Sequence, residues 1–449
     1  CRTCIRVAEV LLMDIANKLV EFALDEKGIP ASASHILNLS LLDWVSVSLS
    51  GVNEPVSRIV RECFLEEGGN PEAFVLGSNK KAPSRVAALV NGTISHALDY
   101  DDTHFASLGH PSVAVMPAAL AISDRVDSDL ETFKRASLIG MEVATRVGVW
   151  LGRGHYRKGF HVTATAGTFG ATVTAGLLLG LNERQFKMAL GLAASRAAGI
   201  KAQFGTMGKP FHAGTAASNG VEASLLASRG FVSAEDGFGG PQGFGLTHDS
   251  EDNTRIFETL GSEYIFEGVS HKFHACCHGL HAGMEALIEL RDKNFVKPKD
   301  VEEIEITVHP QYLNVCNILS PETGLETKFS YRFTAAMVMH GVDTARLESF
   351  SDISCRDFAL TEICNKVLVR TDPELSETSA RVNLRIKSGE SLTNEYDLAD
   401  LTNPAKREAK VLTKSNSLLG KNRTKEIWSF ITRKQPNSIP VSKALFDYS

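Results

Sequence analysis

Three carboxylates and two imidazoles fall within the ten residues SHALDYDDTH (95–104), and a further imidazole, His110, follows after FASLG. Such groups at close quarters suit general acid–base catalysis, because imidazole titrates near neutrality and a carboxylate fixes its tautomer. The stretch runs on from the apolar segment VAALVNGTI, so it reads as a continuing helix. On that helix Asp99 and Thr103, at i and i+4, point the same way. Asp101 and Asp102 fall on other faces, with raised pKa values unless a cation compensates. The competing reading is a solvated acidic helix end, whose charges oppose the helix dipole.

Three more clusters carry chemistry. In RKGFHVTATAGT, His161 opens an apolar helix and is either a satisfied core imidazole or a base held neutral by the positive helix end. In KAQFGTMGKPFHAG, Lys209 precedes Pro210, which biases it towards extended backbone, and Lys209 ahead of Lys201 is a candidate holder of a substrate anion. HKFHACCHGLHAG sets four histidines and two cysteines within residues 271–281. His274 with His278, and His278 with His281, have helical ligand spacing, yet no HExxH or paired CxxC accompanies them and no metal is expected. The glycine-rich DGFGGPQGFG (236–245) follows no strand and lacks a P-loop ending, so a packed loop is expected over a phosphate cradle.

These residues need a scaffold, and 449 residues suggest two domains. To about residue 265 the text is helical: SHILNLSLLDWVSVSLSG, ASLIGMEVATRVGVWLG and SNGVEASLLASRG have apolar residues at three and four spacings and close on Gly. ATAGTFGATVTAGLLLGL, apolar all round, reads as a central buried helix. Beyond residue 267 VEEIEITVHP alternates Ile304, Ile306 and Val308, and SARVNLRIKSGESLTNEYDL reads as a hairpin turning at Ser388-Gly389. HAGMEALIELRDKN and GLETKFSYRFTAAMVMHG supply helices between strands. The expected class is mainly α with a smaller α+β domain: helical residues 1–266, an α+β domain over 267–403, and a C-terminal segment, 404–449, returning to the helical domain.

Composition narrows the partners. A net charge of −6 with no long basic run argues against nucleic acid, and no window approaches the roughly 18 apolar residues of a membrane span. Eight scattered cysteines without a framework suggest reduced thiols and a cytoplasmic setting. Cys1 and Cys4 have CxxC spacing but no partner pair. Starting on Cys, the chain suggests a trimmed or incompletely known terminus, and Glu9 and Asp14 break up the apolar run a signal peptide would need.

Taken in order, NGTISHALDYDDTH with HPS, GFHVTATAGTFG, KPFHAG, the Lys-aromatic-Cys-His block and ETKFSYRF resemble the MmgE/PrpD family across roughly residues 10–420. Its members include 2-methylcitrate dehydratase, cis-aconitate decarboxylase and iminodisuccinate epimerase. The resemblance implies a large all-helical domain completed by the C-terminal segment, an α+β lid, a homodimer, and a cofactor-free, metal-free active site between the domains for a small polycarboxylate. Carried over, the catalytic residues would be Asp99, His110, His161, Lys272 and Cys277, with Thr103 and Lys209 binding substrate. Two departures stand out: Lys272-Phe273-His274-Ala275-Cys276-Cys277 lacks the family's aromatic-proline pair, and Phe333 replaces the tyrosine of KFSxxY, leaving Tyr331 as the nearby phenol. These favour an isomerase over a lyase: abstraction and return of a proton at carbon α to a carboxylate, with iminodisuccinate epimerisation first. A 2-methylcitrate-type dehydratase or cis-aconitate-type decarboxylase is the alternative, and a helical dimer that only binds a carboxylate ligand is the non-enzyme reading.

Overall fold

The computed structural model describes residues 15–400, 403–433 and 439–446. Cys1 and Cys4 lie outside them. The chain forms two compact units, one from the residues up to His271 together with those from Asn422 on, the other Lys272–Lys421. The break falls close to where helical periodicity gives way to alternation. The helix Pro404–Leu419 stays with the smaller unit, so the chain re-enters the larger one at Asn422 rather than Pro404. Charge explains this: Lys406 and Lys410 on that helix pair with Glu289 and Glu285 of the same unit.

In the larger unit the site is carried by α1 (Ala31–Gly51), α2 (Ser84–Ser95), α3 (Pro111–Val126), α4 (Leu130–Lys158), α5 (Val162–Leu178) and α6 (Gly208–Ser228). As its composition predicts, α5 is buried along almost its whole length. Small residues let its neighbours touch backbone to backbone. A Cβ on Gly170 of α5 would stand 2.5 Å from the Gly140 carbonyl oxygen of α4, and one on Gly92 of α2 would stand 2.8 Å from Gly214 Cα of α6. A methyl at either point would push the helices apart, and close-packed interiors tolerate that poorly.

The loop DGFGGPQGFG is a core plug. It inserts Phe238 and Phe244, both buried, against Phe169 of α5, and Phe238 also stacks on Trp150 of α4 at 4.8 Å. At the other end of the chain, the helix Val441–Phe446 sets Phe446 edge-on to Trp44 of α1 at 5.3 Å. Among the described residues no helix is long and apolar enough to cross a membrane.

The smaller unit holds a four-stranded mixed sheet: β1 (Val301–Val308), β2 (Val367–Thr371), β3 (Ser379–Ile386) and β4 (Ser391–Asp397), in the order β2-β1-β3-β4. β1 runs parallel to β2 and antiparallel to β3. Ile304, Ile306 and Val308 face the core as their alternation predicts, and the β3–β4 hairpin turns with Gly389 at φ +91°. Packed on the sheet is α7 (His281–Asn294). The expected single helix over GLETKFSYRFTAAMVMHG is two, Gly324–Thr327 and α8 (Tyr331–Met339). Ser330 separates them: it pairs with Asn317 as a β-bridge, and its hydroxyl accepts the Phe333 N–H, which caps α8. The fold is therefore a large helical unit and a smaller α+β unit.

Candidate active site

The helix expected to carry Asp99 and Thr103 on one face is absent: α2 stops at Ser95 and is closed by His96, and Asp99 adopts a left-handed φ of +49°. Aspartate tolerates that conformation better than most residues. What bends the chain is Asp101. Its side chain is wholly buried, and its two oxygens accept from His96 Nδ1 at 2.8 Å and His110 Nδ1 at 2.9 Å. A buried carboxylate without donors costs several kcal/mol, and a continuing helix could not bring both rings to it.

Burial alone would raise the Asp101 pKa, but the two imidazoles outweigh it and hold the carboxyl well below its usual range. Asp101 is thus an anion accepting two N–H bonds, and both rings carry Nε2 as their basic nitrogen. Burial pulls His110 down to about 4 against the opposing pull of Asp101, so this ring is neutral at pH 7. Among the described residues His96 Nε2 has no hydrogen-bond partner.

Asp102 is buried too, bonded through Oδ2 to the Ser112 hydroxyl at 2.5 Å. Burial, then the nearby Asp43 and Asp101 charges, push it up to about 7 in spite of Ser112. Neither residue is part of a solvated helix end.

His110 and His161 stand as the residues before α3 and α5. Both occupy helix N-termini, where the positive dipole end disfavours a second proton. The two mouths are tied together by the His110 N–H, which donates to Thr163 Oγ1 at 3.1 Å. His161 Nδ1 lies 3.0 Å from His212 Nδ1, so one ring donates and the other accepts. Burial first, then the neighbouring imidazoles and the Lys209 ammonium, hold His161 far below the ordinary histidine range. The His96 ring is centred 4.6 Å from His110 and 6.2 Å from His161.

Lys209 is helical rather than extended, because Pro210 falls in the first turn of α6, where its missing N–H leaves no bond unmade. Its Nζ is 2.5 Å from Asp99 Oδ2, while Asp99 Oδ1 is 3.7 Å from His110 Nε2. Lys201 is engaged elsewhere, donating to the Tyr156 carbonyl with its ammonium 3.5 Å over the Tyr156 ring.

Asp99, His110, His161 and Lys209 thus converge within the larger unit. His96, Asp101 and His212 belong with them, although sequence reasoning gave them no role. All three lie inside the motifs that drew attention, which is the signal that could have found them. Thr103 enters a two-residue antiparallel bridge with Ser270, and its Oγ1 is buried without a hydrogen-bond partner among the described residues. As a donor set, His96, Asp99, Asp101 and His110 offer ligand atoms within 4.8 Å of one another. Both Nδ1 atoms are already bonded to Asp101, however, and a bound cation would compete with the Lys209 ammonium for Asp99.

Lys272 and Cys277 belong to the smaller unit. Lys272 is buried, and its charge bears on the Cys276 thiol and the His281 ring. Cys277 is half-buried, with its N–H on the Lys328 carbonyl. Of the two helical ligand spacings in the histidine block, that of His274 with His278 is lost because helical backbone begins only at His278, whereas His278 and His281, joined by one 3-10 turn, keep their rings 4.8 Å apart. His274 spends both ring nitrogens, on Thr344 Oγ1 at 2.7 Å and Glu285 Oε1 at 3.1 Å. His271, in the larger unit, bonds Ser40 Oγ at 3.0 Å. Phe333 is buried, and the Tyr331 hydroxyl donates to the Gly279 carbonyl.

Fold and site together define a two-unit protein whose helical part gathers imidazoles, carboxylates and one lysine, with His96, Asp101, His110 and His161 buried and Asp99 exposed at the edge of the cluster. The model of the MmgE/PrpD N-terminal domain matches residues 14–256 and that of the MmgE/PrpD C-terminal domain residues 274–427. The chain belongs to the MmgE/PrpD family. Among its relatives are a cis-aconitate decarboxylase-like protein, oryM, of Aspergillus oryzae (30% identical over 298 residues, 62% of this chain and 61% of that protein) and the cis-aconitate decarboxylase of Homo sapiens (25% over 378 residues, 80% and 77%). The cis-aconitate decarboxylase of Aspergillus terreus is 23% identical over 433 residues, 89% of this chain and 88% of that protein. The match to the first of these spans less than two thirds of its length.

Proposed function

We propose that this chain is a cofactor-independent enzyme acting at the carbon next to a carboxylate of a small polycarboxylate, with decarboxylation of a cis-aconitate-type tricarboxylate as the leading reaction. The observation that carries the reading is the buried set Asp101–His110–His161 beside Lys209, with its imidazoles held neutral. The names of the relatives favour the lyase over the isomerase expected from the two sequence departures.

The chemistry follows from charge. Lys209, drawn from Asp99, pairs with a substrate carboxylate. A multiply anionic substrate beside neutral imidazoles raises their pKa, so binding takes up a proton from solvent. As the carbon–carboxylate bond breaks, its electron pair enters the neighbouring unsaturated acid and carbon dioxide leaves. The imidazolium then delivers its proton to carbon, and Asp101 stabilises that imidazolium much as a buried carboxylate does in other acid–base pairs. Lys272, Cys277 and Thr103 are retained as residues required for turnover. A second reading, epimerisation of an imino-linked dicarboxylate such as iminodisuccinate, draws on the aromatic-proline pair missing from 272–277 and on Phe333.

Proton NMR in heavy water separates the readings. With cis-aconitate, the expected result is released carbon dioxide and an alkene product carrying solvent deuterium. Deuterium exchange with stereochemical inversion of iminodisuccinate, and no carbon dioxide from cis-aconitate, would replace the lyase with the epimerase. Binding without either outcome would leave only a carboxylate-binding protein.

A further inference from the structure

Cys277 and Cys316 lie far apart in sequence, yet their sulfurs stand 3.2 Å apart, closer than sulfur atoms in ordinary van der Waals contact. Both are reduced thiols. The pair is fastened from both sides by one segment: the Cys277 N–H donates to the Lys328 carbonyl at 3.0 Å, and the Tyr331 N–H donates to the Cys316 carbonyl at 3.3 Å. A third tie runs from the Tyr331 hydroxyl to the Gly279 carbonyl at 2.8 Å. Gly279 itself lies flush on the facing segment, since a Cβ there would come within 2.6 Å of the Tyr312 ring and 3.2 Å of Cys316 Sγ. The two strands of chain are therefore already docked. Contraction to a bond of about 2.05 Å needs a shift of only about 1 Å.

We propose that Cys277 and Cys316 are a modification site for hydroperoxides, closing to a reversible disulfide that ties the 272–280 loop to the segment at 312–316. The two thiols are not equivalent. Cys277 is half-buried and open to a small oxidant, whereas Cys316 is buried and its S–H donates to the Cys277 sulfur. A donated hydrogen bond favours the thiolate of its acceptor. Cys277 is accordingly the attacking sulfur and Cys316 the resolving one.

In the first step the Cys277 thiolate attacks a peroxide oxygen, the O–O bond breaks, and the departing hydroxide takes up a proton to leave as water; Cys277 becomes a sulfenic acid. In the second, the Cys316 sulfur attacks that sulfur, the S–O bond breaks, and the hydroxyl leaves as water with the Cys316 proton. Two thiols and one hydrogen peroxide give one disulfide and two waters. The nearby Cys276 is a poor competitor. Its Sγ lies 3.7 Å from Met284 Sδ, and adjacent residues hold their Cα atoms about 3.8 Å apart, below the usual disulfide range.

The test uses the full-length protein and does not depend on which reaction it catalyses. The folded chain is treated with hydrogen peroxide, blocked with an alkylating reagent and digested without reduction. Mass spectrometry should then find a peptide pair joined through Cys277 and Cys316 that disappears with dithiothreitol. Cys276→Ala should retain the cross-link. In Cys316→Ala the cross-link should vanish, and Cys277 should be trapped by a sulfenic-acid probe about tenfold more than in the parent. Alkylation of both Cys277 and Cys316 after peroxide, or pairing of Cys277 with Cys276, would overturn the proposal.

Discussion

Each unit of this protein buries a carboxylate against histidine, and the two clusters differ in what is left over. In the smaller unit Glu285 takes His274 and Lys410, and His274 places its other nitrogen on Thr344, so the imidazole is fully used. In the larger unit Asp101 takes His96 and His110, leaving His96 Nε2 with no hydrogen-bond partner among the described residues and His110 Nε2 only within 3.7 Å of Asp99. A satisfied buried network specifies structure, and one with spare basic nitrogens is available for chemistry. The same residue types thus yield a staple in one place and a candidate acid–base centre in the other.

The sharpest way to break this contrast is to neutralise each carboxylate. Asp101→Asn should keep the fold, by circular dichroism, but lower kcat on a polycarboxylate about 10³-fold, because an amide donor forces at least one ring into the wrong tautomer. A loss under tenfold would reduce Asp101 to a structural role. Glu285→Gln should do the reverse. Leaving Lys410 and His274 short of a buried partner should cost about 3 kcal/mol in denaturant unfolding of the smaller unit. Burial would raise the Glu285 pKa, but His274 and then Lys410 bring it to about 2, so this stability is present above the unfolded value near 4.5 and fades as pH falls towards 2.

Asp102 sharpens the comparison through the opposite sign. With a folded pKa of about 7 it binds its proton more tightly folded than unfolded, so stability falls as pH rises from about 4 to 7. Asp102→Asn should remove that fall, and its stability relative to the parent should improve by about 2 kcal/mol between pH 5 and pH 8. An unchanged difference at the two pH values would remove Asp102 from the titration. The smallest expected effect is at the mouth of the centre. Lys209→Ala should raise KM about tenfold with less effect on kcat, reporting lost carboxylate binding.

Much of this was legible beforehand. Periodicities of three to four and of two separated the helical text from the alternating text, and the turn at Gly389 and the burial of α5 followed from composition. Asp99, His110, His161 and Lys209 stand in motifs legible in the sequence, and the fold brings them together. Other features were hidden for stated reasons. The strand Val367–Thr371 is five residues long, too short to reveal a period. The helix expected at Asp99 fails because Asp101 needs donors from both His96 and His110, a demand that local propensity does not contain. His212 matters through a ring 51 residues away in the chain.

By itself the sequence determined the long helices and the alternating strands, which faces are apolar, and which side chains are chemically capable, because these depend on neighbours within a few residues. Only the tertiary structure decided which carboxylate holds two imidazoles, which histidine spends both nitrogens, and which pair of thiols meets. Those outcomes depend on how buried polar groups, removed from water, find partners that the folded chain brings to them across tens of residues.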